Sequence, residues 1–157
     1  MLKKEFCYNL LQNFVSQIFE LAEANIRMEP RNGFLEGQLL SYYETLDSMK
    51  NDLYCLNVDL NLFNLNINLD IFFHGNHSLI PDEVIDREPL KTDSNKEDIQ
   101  VSKESLDFCI SRIIENVNAA TKQNDGSEFS QGKIYAYNQI IRLMNDMLLK
   151  TSMIGEN

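Results

Sequence analysis

Residues 14–53 align with residues 109–148 at a fixed offset of 95, without a gap. This internal match constrains the fold more than any other feature of the chain. Ser16, Ile18, Glu20 and Ala24 meet Ser111, Ile113, Glu115 and Ala119. Phe34, Gly37, Tyr42, Met49 and Leu53 meet Phe129, Gly132, Tyr137, Met144 and Leu148, which makes nine identities over forty positions. Conservative pairs such as Val15/Ile110, Leu39/Ile134, Ser41/Ala136 and Leu46/Ile141 add to them. Any two amphipathic hairpins share apolar periodicity. Shared glycine, tyrosine and turn-edge phenylalanine do not follow from period alone, so duplication of one helical hairpin is the better reading.

The hairpins predict an all-α fold in one domain spanning 1–157: repeat 1 over about 2–56, an acidic connection over 57–101, and repeat 2 over about 102–153. Residues 2–28 carry Cys7, Leu11, Phe14, Ile18, Leu21, Ala22 and Asn25 at helical spacing, with Gln12, Glu20 and Glu23 opposite. Pro30 and Asn32-Gly33 end that helix and form a turn. A second helix runs from about Phe34 to Leu56 on the stripe Leu35, Leu39, Tyr42, Tyr43, Leu46, Met49 and Leu53. So short a connection predicts antiparallel packing. Ser102 can cap a third helix over about 103–122, with Leu106, Ile110, Ile113, Ile114 and Val117 inward. After the turn Asn124-Asp125-Gly126-Ser127, a fourth helix over about 129–152 turns Ile134, Tyr137, Ile140, Ile141, Met144 and Leu148 to the core, with Gly155 beyond its end.

Glycine inside a helix costs up to about 1 kcal/mol relative to alanine, so a compensating contact is expected. At 100° per residue Gly37 lies opposite Leu46 and one turn before Ser41. Gly132 and Ala136 hold the same places in the second half. Small residues four apart allow another backbone to approach. The helices over 34–56 and 129–152 are therefore each expected to use two faces, one on the hairpin partner and one across a pseudo-twofold axis or against a second copy. The plainer alternative is a glycine tolerated in the first helical turn.

The connection is harder to read. Val58, Leu60 and Leu62, then Leu65, Ile67, Leu69 and Ile71, alternate with Asn and Asp in the period of a half-buried strand. Asn and Asp are poor strand formers, and a lone strand has no partner in this sequence. A long irregular or partly extended segment whose apolar side chains lie across the helices is favoured, with a short hairpin as the rival. Residues 74–101 hold Pro81, Pro89, both histidines and an acidic run: Asp82, Glu83, Asp86, Glu88, Asp93, Glu97 and Asp98 against Arg87, Lys91 and Lys96. Pro81-Asp82-Glu83 could open one helical turn. A connection of this length in a compact domain is usually functional or disordered.

The net charge of −10 argues against nucleic acid, whose backbone needs clustered Lys and Arg, and against anionic membrane surfaces. A basic partner would be steered towards such a chain, although acidity also serves plain solubility. Cys7, Cys55 and Cys109 are an odd count without CxxC spacing, which suits free thiols in a reducing compartment. The N-terminus lacks the apolar run of a signal peptide, and no apolar stretch is long enough to span a bilayer, so the expected location is cytoplasmic.

Motifs for chemistry are sparse. His74 and His77 form HxxH with Asp70 four residues earlier, a usable metal spacing with an incomplete ligand set; solvated histidines are the plainer reading. There is no GxSxG, GxGxxG or GxxxxGK[ST], so neither a nucleophile elbow nor a phosphate cradle is present. No cofactor is expected. Glu20 and Glu115 read as solvated, with Arg112 available to Glu115 as a surface pair. Tyr42 and Tyr137 read as core. Tyr135 lies off the stripe and could anchor a partner.

The pattern Gly37-Gln38-Leu39-Leu40-Ser41-Tyr42-Tyr43-Glu44, repeated as Gly132-Lys133-Ile134-Tyr135-Ala136-Tyr137-Asn138-Gln139, resembles short bacterial helical proteins of toxin-immunity families. It covers the two helix segments and carries no functional residue across. It implies a non-enzymatic cytosolic inhibitor that neutralises one cognate toxin. Such a protein would present Asp82, Glu83, Asp86, Glu88, Asp93, Glu97, Asp98 and Tyr135 to a basic protein partner. A homodimeric helical adaptor or secretion chaperone is the alternative, and a metal-dependent enzyme using His74 and His77 comes third.

Overall fold

A computed structural model describes residues 4–28, 32–74 and 103–155. Among these residues there are five α-helices, a single 3-10 turn and no strand. The helices are α1 (Lys4–Ile26), α2 (Gly33–Cys55), α3 (Leu69–His74), α4 (Lys103–Lys122) and α5 (Glu128–Gly155), with the 3-10 turn at Leu60–Phe63. The four long helices lie close to the bounds expected from periodicity and capping. Asn32 caps α2 by accepting from the Leu35 amide at 2.8 Å. Ser127, at the matching offset, accepts from the Ser130 amide at 3.2 Å. Gly126 completes that turn at φ +81°. Helix α5 runs on to include Gly155 rather than stopping before it, and Ser102 lies outside the described residues.

The most extensive helix contact joins α2 to α5, and α4 leans on α2 more than on α5, its sequence neighbour. α2 is consequently touched by α1, α3, α4, α5 and the 3-10 turn. Its core is apolar along Leu39, Tyr42, Leu46, Met49 and Leu53, yet Gln38, Ser41, Thr45, Lys50 and Asp52 are buried too. Each of these polar groups has a partner, as burial requires. Asn25 Nδ2 donates to Gln38 Oε1 at 2.6 Å, Ser41 Oγ to the Lys133 carbonyl at 2.8 Å, and Thr45 Oγ1 to the Ser41 carbonyl at 2.9 Å. Lys50 Nζ donates to the Ile67 carbonyl at 2.6 Å, and Asp52 accepts from Arg112 at 3.4 Å.

The glycines permit the α2–α5 contact. A Cβ built on Gly37 would fall on the Phe129 carbonyl oxygen and 2.8 Å from the Lys133 amide nitrogen. One on Gly132 would fall on the Phe34 carbonyl oxygen and 2.7 Å from its carbon. Ala136, one turn further, is fully buried. Tyr42 Oη hydrogen-bonds Gln139, and Tyr137 Oη donates to Glu44 Oε1 at 2.7 Å. Residues 34 and 129, 37 and 132, 42 and 137, and 44 and 139 each differ by 95, so these contacts are reciprocal.

The alternating segment after α2 is neither strand nor hairpin. Val58, Leu60, Phe63, Leu65, Ile67, Leu69 and Phe73 are buried, so its apolar side chains do lie across the helices. The intervening asparagines and aspartate act as caps and turns. Asn57 takes left-handed backbone (φ 65°), with Asn57 N–H bonding Tyr54 O and Val58 N–H bonding Leu53 O, a Schellman stop to α2. Asn64 repeats the left-handed conformation (φ 57°) after the 3-10 turn. Asp59 caps that turn and Asn68 accepts from the Ile71 amide at 3.1 Å. Alternate burial here comes from a chain wound over the core, without strand pairing. Ile71, expected inward, is 37% exposed, and Phe73 is buried instead. Ile114 on α4 is likewise 43% exposed, while Cys109 and Ala120 are buried.

Candidate functional site

Helices α2 and α4 run antiparallel: Asn116 Nδ2 donates to Ser48 Oγ at 3.2 Å, and one turn away Arg112 meets Asp52. Near the C-terminal end of α4 the facing residues become small. Ala119 and Ala120 leave a gap against α2, and a cleft of about 300 Å³ opens there. Tyr43, Glu44, Asp47 and Ser48 of α2 form one wall. Asn116, Ala119 and Ala120 of α4, spaced along one helical face, and Gln123 just past its end form the other. Lys133 of α5 closes the end.

The polar groups of the cleft are held from behind. Glu44 is fixed through both carboxylate oxygens: Oε1 accepts from Tyr137 Oη, and Oε2 lies 3.3 Å from Lys133 Nζ. Burial and the Glu44 charge both push the Tyr137 phenol upward, so Tyr137 stays a proton donor. Tyr43 Oη donates to Asp70 Oδ1 at 2.7 Å, which joins the cleft wall to α3. That bond, with burial and the nearby Asp47 charge, raises the Tyr43 phenol to about 12. The Tyr43 ring also meets Phe73 edge-on at 5.6 Å.

At the offset of 95, position 25 corresponds to Ala120 and position 38 to Lys133; Asn25 hydrogen-bonds Gln38 between α1 and α2, whereas Lys133 of α5 pairs with Glu44 of α2.

Of the residues singled out in the sequence, Tyr135 is described and is 48% exposed, its ring tilted against Phe34 at 5.5 Å. It is not at the cleft. Asp82, Glu83, Asp86, Glu88, Asp93, Glu97, Asp98 and His77 lie outside the described residues, as does the His74 side chain. Asp70, the third member of the suspected metal spacing, is the acceptor for Tyr43. Among the described residues no three His, Cys, Asp or Glu side chains are grouped to hold a metal ion, and no helix is long and apolar enough to cross a membrane. Arg112 does pair with Glu115, at 3.8 Å, in addition to Asp52.

The cleft itself was missed in the sequence because its walls come from segments about seventy residues apart. With nine identities in forty aligned positions, the changes of Asn25 to Ala120 and of Gln38 to Lys133 do not stand out in the sequence. No family model, curated protein or solved structure matches this chain.

Proposed function

We propose that this is a non-enzymatic binding protein that inhibits a basic protein partner, in the manner of the cytosolic immunity proteins whose helix pattern it resembles. The observation that carries the reading is charge: 24 Asp and Glu against 14 Lys and Arg, much of the excess concentrated in residues 82–98. Long-range attraction of this kind speeds association with a basic surface and weakens as salt screens it. Supporting it, the α2–α4 cleft is lined largely by polar side chains, with Glu44 held in place by Tyr137 and Lys133.

The test is co-purification with the product of the neighbouring open reading frame, followed by association kinetics across a salt series. The expected result is a one-to-one complex whose association slows as salt rises, and slows further when Asp82, Glu83, Asp86 and Glu88 are reversed to lysine. Unchanged association after those reversals removes the acidic connection from the interface. A homodimer without a basic partner would favour the adaptor reading, and bound metal in the purified protein would favour the enzyme.

We also infer that the two hairpins are copies of one ancestral unit, arranged about a pseudo-twofold axis between α2 and α5. The nine identities and the reciprocal pairs across the α2–α5 crossing support this. Features common to both halves are then packing, and features of one half alone are where function was added.

A further inference from the structure

We draw no further inference here: the strongest candidate, the aromatic surface patch that Phe34 of α2 and Tyr135 of α5 form beside the α2–α5 crossing, carries nothing because no feature of the described residues shows what covers it.

Discussion

Gly37 and Gly132 occupy reciprocal positions at the crossing of α2 and α5, each lying against the carbonyl of the phenylalanine three residues before the other. The two backbones meet there with no side chain between them. Adding a methyl group to either forces the helices apart through the most extensive helix contact among the described residues.

Gly37→Ala and Gly132→Ala should therefore each cost about 3 kcal/mol in urea unfolding, at the upper end for overpacking. Gly126→Ala is the control. Its Cβ would meet nothing, and only the left-handed backbone at φ +81° opposes it, for roughly 1 kcal/mol. Equal losses at all three sites would show that the crossing is not sterically tight.

The Tyr137–Glu44 bond should be worth more than an average buried hydrogen bond because its acceptor is charged. Tyr137→Phe should destabilise by about 2 kcal/mol, and a double-mutant cycle with Glu44→Gln should return a coupling of about 1 kcal/mol or more. Zero coupling would mean that the hydroxyl is incidental to packing.

Raised phenol pKa values make the fold sensitive to alkali. Burial lifts Tyr42 to about 12, and the bond to Asp70 lifts Tyr43 to about 12. The unfolded chain releases these protons near 10. Stability from both groups is thus complete below pH 10 and is lost as pH rises through about 12. Absorbance titration should show these tyrosines ionising late, and Tyr42→Phe should reduce the alkaline loss of stability.

Burial also pushes the Cys109 thiol to about 12, whereas Cys55 is exposed. In a Cys7→Ser background at pH 8, a thiol reagent should modify one equivalent quickly at Cys55. The second should react only at the rate of unfolding, since the thiolate is the reactive form. Fast modification of two thiols would contradict the burial of Cys109.

Lys50 ties the segment after α2 to the core through the Ile67 carbonyl. Lys50→Met keeps the stem but leaves that carbonyl without its ammonium donor. A loss of about 1–3 kcal/mol is expected, with faster amide exchange concentrated at residues 65–69. Exchange accelerated uniformly across the chain would assign Lys50 to global stability instead.

Much of this architecture was legible before any tertiary information. The α4 bounds follow from the spacing of Leu106, Ile110 and Ile113, and the start of α2 from Asn32-Gly33. Local backbone preferences and one apolar face are encoded within a few turns of chain. The stretch over 57–73 was harder to read because alternation registers burial, and a wound segment can bury alternate residues as a strand does. Asn57 and Asn64 were the clue, since asparagine tolerates left-handed backbone where a strand does not use it. The buried Lys50 and Asp52 were not legible, because a helix covered on several sides must bury polar positions that look solvated on a helical wheel.

The sequence by itself determined the long helices and the internal match at an offset of 95, and pointed to Gly37 and Gly132 as candidates for a close backbone approach. The tertiary structure decided that α2 pairs chiefly with α5, that α4 leans on α2, and that a cleft opens between them beside Ala120. The reason is physical. Helix formation depends on neighbours three and four residues away, whereas partner choice depends on side-chain shapes brought together from about sixty to a hundred residues apart.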